Sequence, residues 1–69
     1  MSDQVYKLIE VTGTSGSSLE EAIQNAVSRA AKTVRAMRWF EVVEIRGRID
    51  DNQVAQWQVT LKIGFALED

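Results

Sequence analysis

The chain offers few residue types for chemistry. It has no His and no Cys. That removes imidazole acid–base catalysis, Ser-His and Cys-His nucleophile pairs, disulfides and the usual zinc sites. Carboxylates are present, but they are scattered among Lys and Arg without an obvious pairing. Two stretches stand out. Gly13-Thr14-Ser15-Gly16-Ser17 has the Gly and Ser of a phosphate-binding turn ahead of a helix. Its spacing matches neither a Walker loop nor a dinucleotide fingerprint, so it reads as a strand-to-helix loop ending in a cap. Arg38-Trp39-Phe40-Glu41-Val42 sets two large aromatics side by side where a helical pattern gives way to a strand. On a strand they point to opposite faces, so one can enter the core while the other, read as Trp39, faces outward.

The elements around these stretches follow from periodicity. Val5 to Thr12 is rich in β-branched and aromatic residues and reads as the first strand. Ser18 followed by Glu21 fits a capping box, and Ser17 with Glu20 fits equally well. Leu19, Ala22, Ile23, Ala26, Val27, Ala30, Val34 and Met37 then recur at steps of three and four, which predicts one amphipathic helix from about Ser18 to Ala36. Its apolar stripe is mostly Ala, suited to lying close on a sheet rather than on a membrane surface. Trp39 to Ile49 reads as the second strand and Asp50-Asp51-Asn52-Gln53 as a polar turn. Val54 to Leu67 alternates strictly and forms the third strand, with one buried face. The predicted fold class is α+β, a β-α-β-β unit with an antiparallel sheet around one long helix.

Composition bounds the rest. Sixty-nine residues leave room for one domain, 1–69. A chain this small usually needs a staple, and without Cys or His oligomerisation is the one that remains. The net charge of −2 argues against a general nucleic-acid binder. No apolar run approaches a membrane span, and Met1-Ser2-Asp3-Gln4 lacks the start of a signal peptide. A soluble cytoplasmic protein is expected.

A hairpin closed by Ile49 and Val54 sets Gly47 against Gln56, Ile45 against Gln58, Val43 against Thr60, Glu41 against Lys62 and Trp39 against Gly64. Directly opposed residues share a face. Phe40, Val42, Trp57, Val59, Leu61, Ile63 and Phe65 then belong to the helix side. Trp39, Glu41, Val43, Ile45, Gln58, Thr60 and Lys62 belong to the other. This register leaves Glu44 and Arg46 on the helix side, which requires that they lie beyond the helix end or that a bulge shifts the strand. The second face is half apolar, as partner surfaces are. For Trp39 a subunit contact and a ligand-stacking role both fit.

The order and spacing of several segments resemble those of the dodecins, small flavin-binding proteins that assemble as hollow twelve-subunit shells. The segments are Val5-Tyr6-Lys7, Gly13-Thr14-Ser15, Lys32-Thr33-Val34-Arg35, Trp39-Phe40-Glu41-Val42, Glu44-Ile45-Arg46-Gly47, Gln58-Val59 and Gly64-Phe65-Ala66-Leu67-Glu68. The resemblance implies a homododecamer in which Trp39 stacks on a flavin (FMN, riboflavin or FAD), two flavins lying between twofold-related Trp side chains. It implies that Gln58 hydrogen-bonds the polar edge of the ring. An indole is a flat platform for such a ring, and an amide offers both a donor and an acceptor. Tight stacking on Trp should quench the excited flavin by electron transfer, which favours storage and photoprotection over turnover. For Arg46 the resemblance suggests a flavin side-chain phosphate or the phosphates of coenzyme A, with a surface or inter-subunit ion pair as the alternative. Bacterial dodecins often carry a basic residue at the position of Ala66, so a coenzyme A site built there is in doubt. A structural module that uses the same face only for subunit contacts is the competing function. An enzyme is not expected, since no acid, base or nucleophile is arranged beside the Trp.

Overall fold

The computed structural model describes residues 3–67. Met1 and Ser2, part of the stretch that lacks the pattern of a signal peptide, and Glu68 and Asp69 at the other end lie outside them. The elements run β1 (Tyr6–Ser15), α1 (Leu19–Ala30), β2 (Met37–Asp50) and β3 (Gln53–Ala66). All pairings are antiparallel and the sheet order is β1-β3-β2. This is the β-α-β-β arrangement with a three-stranded antiparallel sheet that the periodicity predicts. The longest strand signal, β3, takes the central position.

Two boundaries differ from the sequence reading by more than two residues, each for a local reason. Gly13-Thr14-Ser15 belongs to β1 rather than to a loop, pairing with Val59, Gln58 and Trp57. Gly13 is buried under the helix, where an added Cβ would run into the Ala22 carbonyl oxygen and sit 2.8 Å from the Ala26 Cβ. Its smallness serves helix–sheet contact, and a phosphate has no room there. The helix begins as expected, with the Ser18 hydroxyl accepting the Glu21 N–H at 3.0 Å. The return bond of a capping box is rerouted. The Ser15 hydroxyl accepts the N–H groups of Ser17 and Ser18 at 2.9 and 3.3 Å, and itself donates to the Glu21 carboxylate. Glu21 therefore ties the helix start to the end of β1.

At its other end α1 stops at Ala30, six residues short of the expected Ala36. The N–H groups of Lys32 and Thr33 turn back three residues, to the carbonyls of Arg29 and Ala30, at 3.2 and 3.1 Å. This tightening ends the regular helix. Ala36 then takes a left-handed conformation, φ 62°, and reverses the chain into β2. Met37, the last member of the apolar stripe, reaches the core from β2 instead of from the helix.

The core is small and regular. Ala22, Ala26 and Ala30 of α1 lie on Val59, Leu61 and Ile63 of β3, with Ile9, Val11, Leu19, Ile23, Val27, Met37 and Trp57 around them. The helix covers β1 and β3 only, and none of its Cα atoms comes within 8 Å of one in β2. Phe40 and Val42 were expected to pack on the helix. They are on its side of the sheet, but they stay 48% and 39% exposed because the helix does not reach them. The hairpin turn is tight, with Asp51 and Asn52 both at positive φ (54° and 63°), as a two-residue turn of the primed kind requires.

Gly13→Ala should lower stability by about 1–3 kcal/mol, because the helix has to move to admit the methyl. Gly16→Ala, where a Cβ meets the Ala55 carbonyl oxygen at an ordinary 3.9 Å, should stay within about 0.5 kcal/mol. Denaturant midpoints measured at one fixed subunit concentration separate the two. Equal midpoints would refute the close helix–β1 approach.

Candidate functional site

The face of the sheet away from the helix is organised by register. Trp39 opposes Gly64 and Glu41 opposes Lys62, as the hairpin argument expects. The register then shifts at Val43, so that Glu44 opposes Thr60, Arg46 opposes Gln58 and Arg48 opposes Gln56. Of the two expected solutions for Glu44 and Arg46, the fold adopts the bulge. One extra residue in β2 turns both charged side chains off the helix side, where they would have faced Val59 and Trp57. In exchange Ile45 moves to the helix side opposite Val59, which corrects its expected place beside Gln58. A further shift between Arg48 and Ile49 restores the expected Ile49–Val54 closure.

At one end of this face stands Trp39. Its indole lies over Gly64, where a Cβ would run into ring atoms Cδ2, Cε2 and Cζ2. Tyr6, brought in by pairing with Ala66, packs edge-on against the indole with ring centroids 5.9 Å apart and planes at 67°. That is a favourable quadrupole arrangement, and it fixes the indole from the side. Trp39 remains 41% exposed. Glu41 and Lys62 share a ladder position nearby, but among the described residues no ion pair joins them within 4.0 Å.

A chain of polar side chains occupies the other end. Arg46 Nε donates to Gln58 Oε1 at 2.9 Å, and Arg46 NH1 donates to Glu44 Oε1 at 2.8 Å. Gln58 Nε2 donates in turn to Gln56 Oε1 at 2.9 Å. Gln58 is half-buried, while Arg46 and Glu44 are exposed.

The three residues expected to form a site thus fall into two groups. Arg46 and Gln58 are in contact. Trp39 is not with them, because Gly64 and Gln58 lie six residues apart on β3, roughly 20 Å at strand spacing. Sequence reasoning missed Tyr6, Glu44 and Gln56. The clue to Tyr6 was the register of β1 on β3, which hairpin arithmetic does not supply. The clue to Glu44 was its own awkward position, which the bulge resolves.

Among the described residues no group of three or more His, Cys, Asp or Glu could hold a metal ion, and no helix is long and apolar enough to cross a membrane.

Comparison with known proteins is consistent along the whole chain. The Dodecin family model matches residues 5–68. Dodecin from Thermus thermophilus is 53% identical over 66 residues, 96% of each chain. Calcium dodecin from Mycobacterium tuberculosis is 33% identical over 63 residues, 91% of this chain and 89% of that one. The solved structure of dodecin from Streptomyces coelicolor superposes with a TM-score of 0.93 at 52% identity, covering 100% of this chain and 99% of that one.

Gly64→Ala should force the indole off its seat. The expected result is a changed near-ultraviolet circular dichroism signal with an unchanged far-ultraviolet one. Tyr6→Leu should give a smaller change in the same band. An unaltered aromatic signal in Gly64→Ala would contradict the placement of Trp39 over Gly64.

Proposed function

The chain belongs to the Dodecin family, and from that premise we propose that it is a non-enzymatic flavin-binding protein. It holds flavin for storage and photoprotection in the cytoplasm, as a homododecamer. The observation that carries this reading is the indole of Trp39, seated over Gly64, braced by Tyr6 and left uncovered by its own chain. A braced, exposed indole is a preformed stacking platform whose ordering cost is met on folding rather than on binding.

In this reading Trp39 stacks on the flavin ring, and a twofold-related copy closes the stack from the far side with a second flavin between. Gln58 hydrogen-bonds the polar edge of the ring. The separation of roughly 20 Å along β3 means that the Gln58 serving a given Trp39 belongs to a different copy. The complete site is then a property of the assembly. Arg46 is its third residue, through its contact with Gln58. FMN, riboflavin and FAD all carry the ring that this arrangement recognises. Coenzyme A is the less supported ligand, because Ala66 supplies no charge for its phosphates and the Arg46 charge is already met by Glu44.

Assembly through the sheet has its own support. Phe40, Val42 and Ile45 are exposed on the helix side of β2, and Val43 is exposed at the bulge. Contiguous apolar surface of this kind marks a contact between proteins. It is also what a purely structural module would show, so ligand uptake separates the two functions.

Titration of riboflavin into the purified protein should quench its fluorescence strongly, and native mass on the same sample should give twelve subunits. Trp39→Ala should assemble and lose roughly 5- to 150-fold in affinity, the worth of one aromatic stacking contact at about 1–3 kcal/mol. A twelve-subunit particle that leaves flavin fluorescence untouched would favour the structural module.

A further inference from the structure

We propose that Arg46 acts as a positioning residue, orienting the Gln58 amide for the ring edge of the ligand instead of binding a phosphate. The inference rests on the flavin reading above and assigns a role within the same site.

The argument starts from donor and acceptor counts. A guanidinium has donors only, so the amide atom facing Arg46 Nε at 2.9 Å has to be the Gln58 oxygen. Rotating the amide by half a turn would set N–H against N–H. The Gln58 nitrogen is therefore directed to Gln56 Oε1, also at 2.9 Å. One lone pair on Oε1 and one N–H on Nε2 remain free, in a fixed order along the face. A ligand edge offering a donor beside an acceptor in the matching order finds both partners already oriented. Without Arg46 the amide can flip, and a ligand must select one of two orientations.

The charge on Arg46 points the same way. Its NH1 is held by Glu44 at 2.8 Å, so the guanidinium carries its counter-charge with it. A phosphate taken up by the remaining guanidinium N–H groups would meet the negative charge of Glu44 at close range. The bulge at Val43 is what makes the set possible, because it puts Glu44 and Arg46 on the Gln58 side together. Glu44 holds Arg46, Arg46 holds Gln58, and Gln58 faces the ligand.

Riboflavin and FMN separate the two roles, since only FMN carries a phosphate. In fluorescence-quenching titrations Arg46→Ala should weaken both ligands by the same factor, roughly 5- to 10-fold for one oriented hydrogen bond. The effect should vanish in a Gln58→Ala background, where no amide is left to orient. Arg46→Lys, which keeps the charge but not the fork geometry, should also weaken both ligands equally. Native mass on each variant guards against loss of assembly, and Arg46→Lys carries the test if Arg46→Ala does not assemble. A loss confined to FMN, full FMN affinity in Arg46→Lys, or an Arg46→Ala loss that persists without Gln58 would overturn the positioning role. Absence of riboflavin uptake by the unmodified protein would instead remove the flavin reading, and this inference with it.

Discussion

A twelve-residue helix set against fourteen-residue strands is the constraint from which the rest of the molecule follows. At about 1.5 Å per residue the helix is roughly 18 Å long. The β2–β3 hairpin, at about 3.3 Å per residue, is more than twice that. The helix is also one element wide, and it lies over β1 and β3. Its Ala face draws it close to the sheet, and closeness comes at the expense of breadth. The product is a flat, elongated protomer of 56 × 20 × 14 Å with a radius of gyration of 14.4 Å. A compact domain of this length would have a radius of gyration near 11 Å. What the helix fails to cover, β2 above all, stays exposed.

The bulge at Val43 decides how that surface is divided. Before it, Trp39 and Glu41 face away from the helix. After it, Glu44 and Arg46 do so, and Ile45 joins the helix side. A regular strand would have set two charges on the helix side opposite Val59 and Trp57 and left Ile45 among polar residues. One inserted residue corrects both faults, so that the helix side of β2 is apolar from Phe40 to Ile45 and the opposite side is polar beyond Trp39. The same residue brings Arg46 within hydrogen-bonding distance of Gln58. A single irregularity in β2 therefore sets up both the exposed apolar strip and the polar end of the candidate site.

Much of this was legible in the sequence because it depends on local pattern. The strict alternation of β3, the cap at Ser18 and the polar turn cluster Asp50-Asp51-Asn52-Gln53 each encode a local geometry, and the fold follows them. The Trp39–Gly64 pairing came out of hairpin arithmetic, since the irregularities between turn and Trp39 cancel over the length of the hairpin. What was not legible depends on competition at a distance. The stripe from Leu19 to Met37 keeps helical spacing across the helix end, because Met37 enters the same core from a strand. Gly13 looked like a loop residue because its neighbour, the Ala22 backbone, is remote until the helix docks. Phe40 looked like a core residue because alternation reports which face a side chain takes, not whether anything covers that face. The separation of Trp39 from Gln58, by contrast, is implicit in the hairpin register, which sets Trp39 against Gly64, six residues along β3 from Gln58.

In the proposed function, Trp39 and Phe40 tie assembly to ligand binding. As neighbours on a strand they point to opposite sides, so the residue that offers a stacking platform is covalently adjacent to one that offers an apolar contact. Any copy that covers Phe40 from the helix side also fixes the backbone that carries Trp39. In the proposed function the coupling runs in the other direction as well. A ring held by Trp39 of one copy and Gln58 of another binds the assembly and has no equivalent in the separate protomer. Such a ligand stabilises the assembled state by mass action, in proportion to the logarithm of its concentration above its dissociation constant. The exposed surface that leaves this small chain short of a core of its own is, on that reading, the means by which its ligand and its quaternary structure support each other.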